Sequence, residues 1–288
     1  MKNNHLIDFD SVSSFIDGQR IYLDYFADQV DYNIQNNLVS ELMIRYADIS
    51  KQLEEKNRIL EKYSNHLEEL VQEKVREISA SQIATIHALV KSAESRDDDT
   101  GAHIERTAAY CKLIAEKLLA AGLYRNIIDE AYPQNIERAA PLHDIGKVGI
   151  EDAILLKPGR LTVDEFKIMK THVSIGYETL ASVAVLYTGN AFLELGMEIS
   201  RYHHEKWDGS GYMNGLSREE IPLSARIMAL SDVYDALRSK RVYKEAFSHD
   251  KSIEIINKGN GNHFDPKLVD IFNDNHLIFC KIFDTLSL

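Results

Sequence analysis

The chain is short of the residues that interrupt helices. Its 288 residues hold only 14 glycines and 5 prolines, so most of its length has nothing to stop helical propagation. Cysteine is scarce as well. Cys111 and Cys280 are too few for a disulfide framework and read as buried free thiols. No apolar run approaches the roughly 18 residues of a membrane span, and the N-terminus has no signal-peptide pattern. A cytoplasmic protein is expected. Basic residues are outnumbered, 33 Lys and Arg against 45 Asp and Glu, for a net charge of −12. That balance argues against nucleic acid polymer as a partner. An acidic chain that binds a phosphate ligand must gather its cations locally.

What remains is helical periodicity. No alternating strand pattern occurs, and the fold class is all-α. Residues 1–47 are aromatic-rich, with Asp17-Gly18 marking a turn and apolar residues at helical spacing from about Arg20 to Tyr46. This reads as a small N-terminal helical element, a packing, dimerising or sensory cap. Residues 48–92 lack Pro and Gly. Leu53, Leu60 and Leu67 repeat every seven, with Ile49, Tyr63 and Leu70 on the companion seam, before the stripe shifts through Val71, Val75 and Ile78. That is a heptad seam with a stutter, read as a parallel coiled-coil linker joining two subunits, although Lys56 and Lys74 also fall on the seam. Residues 93–288 form the third unit. It is predicted to hold helices over His103–Ala121 with Gly122 as the stop, from the Thr162–Glu165 capping box towards His172, over Ser224–Leu237, and over Ser248–Lys258 ended by Gly259.

Eight of the 11 histidines follow residue 100. Four stretches concentrate metal-ligating types: Asp97–His103, Leu142–Lys147, Lys170–His172, and His203-His204 with Asp232 and Asp235 downstream. Each lies on or beside a predicted helix, so a bundle could aim them at one interior spot. Imidazole mixed with carboxylate suits iron, manganese, zinc or nickel better than magnesium or calcium. Neighbouring side chains on a helix diverge by about 100°, so His203 and His204 reach one ion only if the helix ends there. Lys147, four residues after His143, is expected one helical turn away on the same side. Asp208-Gly-Ser-Gly211 should be a tight turn needing positive φ, with Tyr212 hanging from it towards the site.

His143-Asp144-Ile-Gly-Lys147 together with His203-His204-Glu205-Lys-Trp-Asp208-Gly-Ser-Gly211-Tyr212 resembles the HD-GYP family of HD-domain phosphohydrolases. The likeness runs from about Ser92 to Phe272 and includes Leu156-Lys-Pro-Gly159, Ile221–Ile227, Asp232–Lys244 and Gly261–Pro266. The resemblance implies an HD-type helical bundle that hydrolyses cyclic di-GMP to pGpG, in some members on to GMP, by a hydroxide bridging two metal ions. It implies one metal held by His103, His143, Asp144 and Asp232, and a second by Asp144, His172, His203 and His204, with iron or manganese expected. Lys147 would contact the scissile phosphate. Arg241 and Lys244 would hold phosphates or guanine edges, joined by Tyr212 on the substrate side. Asp235 would act in catalysis by orienting the leaving group or a water. Two departures stand out. Met213 replaces the proline of the family tripeptide, which frees the backbone that proline would fix. Asp99 stands where some members carry a glutamate that helps hold a third metal, and a third ion is left open. A metal-bearing but catalytically silent cyclic-dinucleotide-binding protein is the alternative reading.

Overall fold

A computed structural model describes residues 9–94, 101–240 and 245–287. The chain divides into two compact units, Met1–Ile78 and Ser79–Leu288. The first consists of a single helix among its described residues. That helix, α1 (Phe9–Glu94), runs without interruption through both N-terminal segments, and its last residues belong to the second unit. The turn expected at Asp17-Gly18 does not form. Gly18 is the one glycine before residue 101, no proline occurs before Pro133, and one glycine costs a helix only about 1 kcal/mol. The helical preference of its neighbours outweighs it.

Within the first unit the apolar side chains of α1 stay exposed, the heptad residues Leu53, Leu60 and Leu67 by 57–67%. A second stripe precedes them: Tyr22, Phe26, Val30, Ile34, Leu38, Leu42 and Tyr46 recur at every fourth residue. Steps of four advance about 40° per step around a helix of 3.6 residues per turn. This stripe therefore winds around α1, whereas the heptad seam stays nearly straight.

The second unit is a helical bundle. After the end of α1 come α2 (Gly101–Ala120), α3 (Tyr132–Ala139), α4 (Asp152–Leu155), α5 (Val163–Met169), α6 (His172–Ala184), α7 (Ala191–Tyr202), α8 (Leu223–Arg238), α9 (His249–Lys258) and α10 (Pro266–Leu286). No strand occurs among the described residues. The expected start and stop signals act where they stand. Gly122 ends the α2 turn at φ +66°. Thr162 and Glu165 cap α5 reciprocally, and Ser248 caps α9, which stops at Gly259. Helices α2, α3, α7, α8 and α10 enclose one core built around Tyr110, Ile114, Leu118, Ile136, Ile199, Met228, Tyr234, Phe272 and Phe279. Tyr110 and Phe279 stack at 5.0 Å, and Tyr234 meets both rings edge-on. Cys111 is buried in this core; Cys280, expected to be buried too, is only half-buried because it lies on the outer side of α10. No helix among the described residues is long and apolar enough to cross a membrane.

The HD stretch is not α-helical. Two 3-10 turns, Ala140–Leu142 and Ile145–Gly149, flank His143 and Asp144. Pro141 opens this segment, and Gly146 allows it to press against α6. A Cβ at Gly146 would collide with the carbonyl oxygen of His172 and the amide of Gly176. This contact brings Asp144 and His172 together.

Candidate metal centre

Three imidazoles are aimed by the backbone. His143 Nδ1 donates to the Ala140 carbonyl at 2.9 Å, His172 Nδ1 to Met169 at 2.8 Å, and His203 Nδ1 to Ile199 at 2.9 Å. A carbonyl can only accept, so each neutral ring carries its proton on Nδ1 and turns a bare Nε2 lone pair inward. His103 reaches the same state by another route. Its Nδ1 donates to Asp235 Oδ2 at 2.8 Å, which leaves Nε2 facing Asp232 Oδ1 at 3.7 Å.

Three of these Nε2 atoms, those of His143, His172 and His203, surround Asp144. Its Oδ2 lies 3.3 Å from His143 Nε2, and its Oδ1 lies 3.2 Å from His172 Nε2 and 3.7 Å from His203 Nε2. His204 joins from the turn after α7. The helix ends at Tyr202, and its C-cap His203 is followed by a turn. Both rings then fall on one side, 4.0 Å apart between centroids. Two groups of converging ligand atoms result, Asp144 with His172, His203 and His204, and His103 with His143 and Asp232; within each group the atoms lie within 4.8 Å of one another.

The lone pairs themselves show what fits here. Asp144 Oδ1, His172 Nε2 and His203 Nε2 are buried without a hydrogen-bond partner. A carboxylate oxygen opposite a bare imidazole nitrogen is acceptor against acceptor. Each unsatisfied buried group costs about 1–3 kcal/mol, and a cation between them is the arrangement that satisfies all three together. The residues fit divalent metal ions. Asp144 stays ionised: burial alone would raise its pKa, but Lys147 and His143 hold it well below the usual carboxylate range. Burial keeps His203 neutral, its pKa far below the ordinary value.

Lys147 stands over Asp144 rather than over His143, its Nζ 2.9 Å from Oδ2. The expected helical turn from His143 assumed α geometry. In a 3-10 turn, residues three apart eclipse, which brings Lys147 onto Asp144. Asp235 is placed differently from expectation. It is fully buried behind His103, and its oxygens accept from Arg106 Nε at 2.6 Å, Arg106 Nη2 at 2.8 Å, His103 and Ser239. It stands behind His103, in the position that partners one layer out from a metal take. Asp99, Arg241 and Lys244 lie outside the described residues. Arg106 was not singled out from the sequence, although its place one turn after His103 was the available signal.

The loop after α7 is pinned at several points. Gly209 adopts φ +81° as the turn requires, and Asp208 Oδ1 accepts from the Ser210 amide at 2.9 Å. Buried Glu205 accepts from the Asn214 amide at 2.6 Å and the Gly215 amide at 3.2 Å. Trp207 and Asp208 donate backbone N–H groups to His263 and Asn262. Arg226 serves the same frame: it donates to the Ile221 carbonyl at 2.9 Å and pairs with Asp265. Tyr212 ends beside the ligands, its ring 4.7 Å from that of His204. Met213 is 47% exposed.

Burial also sets an acid limit on the metal-free protein. Burial lowers His204, and burial with nearby Lys206 lowers His263, from 6.5 to about 4. The unfolded chain takes up these protons below 6.5 while the folded chain refuses them until about 4. More protons on the unfolded side means stability rises with pH across that window. His103, raised by Asp235 against the effect of burial, opposes the trend, and His203, lowered by burial, adds to it. Thermal melts in chelator should therefore drop steadily as pH falls from 6.5 towards 4; a flat midpoint would contradict the burial of these rings.

The HD domain model matches residues 87–268 of the chain. A "Cyclic di-GMP phosphodiesterase" of Vibrio cholerae is 52% identical over 197 residues, covering 68% of this chain and 40% of that protein. A "Probable cyclic di-GMP phosphodiesterase" of the same organism is 47% identical over 215 residues, 74% of this chain and 49% of the other. A "3'3'-cGAMP-specific phosphodiesterase 2", also from Vibrio cholerae, is 41% identical over 186 residues, 65% and 33% respectively. The chain thus spans less than half the length of each of these curated relatives. With the family model covering most of the bundle, and with His143-Asp144 and His203-His204 converging as described, the chain belongs to the HD domain family and carries the motifs of its HD-GYP branch.

Proposed function

We propose that the protein is a metal-dependent phosphodiesterase that hydrolyses cyclic di-GMP to pGpG. The observation that carries this reading is the split carboxylate of Asp144, one oxygen turned to each ligand cluster. Two divalent ions, iron or manganese, would be held by His103, His143, Asp144 and Asp232 and by Asp144, His172, His203 and His204. Such ions supply Lewis acidity at a phosphate oxygen and activate water. The chain's own residues then do the rest. Lys147, over Asp144, offers its ammonium to the phosphate that takes on charge. Tyr212 brings a hydroxyl to the same edge. Arg106 and Asp235 keep His103 aimed. Arg241 and Lys244 would hold the substrate's phosphates or guanine edges.

The complete ligand set favours turnover over a silent binding protein, since nothing in the centre is missing for chemistry. Purified chain loaded with iron or manganese under anaerobic conditions should convert cyclic di-GMP to pGpG, followed by chromatography of the products. No product with either metal would reject the enzyme reading, and preferential turnover of 3'3'-cGAMP would reassign the substrate. Lys147→Ala should keep its metals by elemental analysis and lower kcat on the order of a hundredfold. Loss of metal along with activity would instead make Lys147 a structural counter-ion to Asp144.

The exposed heptad of residues 48–92 supports a homodimer, with residues 1–47 as a sensory cap, residues 93–288 as the catalytic domain, and the whole in the cytoplasm. Sedimentation of the full chain tests the dimer, and a monomer at micromolar concentration would reject it.

A further inference from the structure

Tyr212 packs against three side chains. Its ring stacks on His204 with 27° between planes at 4.7 Å. Phe166 meets it edge-on at 6.1 Å and 78°. Lys170 Nζ stands 5.3 Å from the Tyr212 centroid and 5.2 Å from that of Phe166. The ring is thus stacked on an imidazole, with an ammonium over it and a phenylalanine across it.

The segment that supplies this cover has little else to hold it. Phe166 and Lys170 are one turn apart on α5 and its C-cap, and no residue of α5 is buried. The helix is fixed at its far end by the Thr162–Glu165 capping box and by Lys157, whose Nζ lies 2.6 Å from Glu165. At its near end it runs directly into His172. Phe166 is 45% exposed, and among the described residues no carboxylate is paired with Lys170. A phenylalanine half in water and a lysine resting on two rings both have the Tyr212 ring as their contact.

We propose that Phe166 and Lys170 are positioning residues that clamp Tyr212 against His204, so that the tyrosine meets the substrate phosphate through its hydroxyl and not through its ring face. This rests on the phosphodiesterase reading of the centre. A ring stacked on an imidazole and carrying an ammonium is already engaged through its π face, whereas a phenol hydroxyl is a protonated donor at neutral pH. A cation over two rings holds them with about 0.5–2 kcal/mol in such settings. The clamp also joins the substrate loop to the helix junction that carries the ligand His172, so the donor and the metal ligands share one frame.

A double-mutant cycle on the metal-loaded full chain tests this. Tyr212→Phe should lower kcat/KM for cyclic di-GMP roughly tenfold to a hundredfold, the range of a hydrogen bond to a charged group. Lys170→Met should lower it about threefold to thirtyfold, and Lys170→Arg should restore most of that, because guanidinium also rests on aromatic faces. Metal content should not change in any of them. The double variant Tyr212→Phe with Lys170→Met should be no worse than Tyr212→Phe alone, because the clamp then has no hydroxyl to place. Additive losses would overturn the proposal. A readout without turnover accompanies it. With 3-fluorotyrosine at position 212, the fluorine resonance of the metal-free protein should carry the ring-current shift of His204, and Lys170→Met or Phe166→Ala should move it towards free fluorotyrosine. An unmoved line overturns the clamp whatever the kinetics. A line that moves in a protein with no cyclic di-GMP turnover supports the clamp and overturns the phosphodiesterase reading instead.

Discussion

Asp144→Asn should empty both ligand clusters and abolish turnover. The carboxylate is the one group whose oxygens face His143 on one side and His172 and His203 on the other, at 3.2–3.7 Å. An amide of the same size offers one oxygen and an NH2, which would point a donor at one cluster and remove the negative charge from both. Without that charge, two dications would stand among neutral imidazoles and Asp232 alone. Metal per chain by elemental analysis should fall from two towards zero, and kcat by roughly a thousandfold or more, the scale on which metal-activated water matters. The fold should survive. Asp144→Asn also relieves the opposed lone pairs, so the metal-free variant should melt no lower than metal-free wild type. If one cluster stayed fully loaded and turnover persisted, Asp144 would not be shared.

Arg106→Met should be the most damaging change to stability. Arg106 gives two hydrogen bonds to Asp235, which is fully buried. Removing the guanidinium leaves a buried carboxylate with only His103 and Ser239 against it, at about 3–5 kcal/mol. The ligand His103 would lose its aim as well, and metal affinity at its cluster should fall about tenfold to a hundredfold. A second substitution separates these effects. Arg106→Met with Asp235→Leu replaces the ion pair by apolar groups and should recover much of the stability. It should not recover metal affinity, since His103 Nδ1 then has no acceptor. Chemical denaturation and metal titration of the two variants give the answer. Recovery of both properties together would show that Asp235 merely neutralises Arg106.

These residues mark where sequence reasoning reached and where it stopped. Local signals were legible: the Thr162–Glu165 box, the Ser248 cap and the Gly122 and Gly259 stops act through neighbours only a few residues away. The histidines and carboxylates that converge in the bundle were legible as a set because their motifs resemble those of the HD-GYP family, which brings them together. The HD stretch was harder. Its 3-10 geometry follows from Gly146 pressing on the α6 backbone, a contact across 26 residues, from 146 to 172, and it moved Lys147 from His143 to Asp144. The partnership of Arg106 with Asp235 spans 129 residues, and no spacing rule reaches that far. The clamp on Tyr212 was hidden for the same reason, since Phe166 and Lys170 look like an ordinary amphipathic face until the loop after α7 folds over them. At Asp17-Gly18 the error ran the other way: a turn signal was read where an unbroken helical context prevailed.

The bonds from His143, His172 and His203 to Ala140, Met169 and Ile199 have a consequence for how the centre is filled. Each acceptor lies three or four residues before its histidine, so every ring is aimed by its own turn of backbone and not by the ion. Three of the rings are therefore set by the fold itself. Loading then requires a metal to shed water, with no search through side-chain rotamers and no refolding. Ions should enter and leave through repeated chelation and refilling with the helical content unchanged. Which metal resides there at a given moment is then governed by supply and exchange rate, and the same chain would follow the metal economy of the cell that holds it.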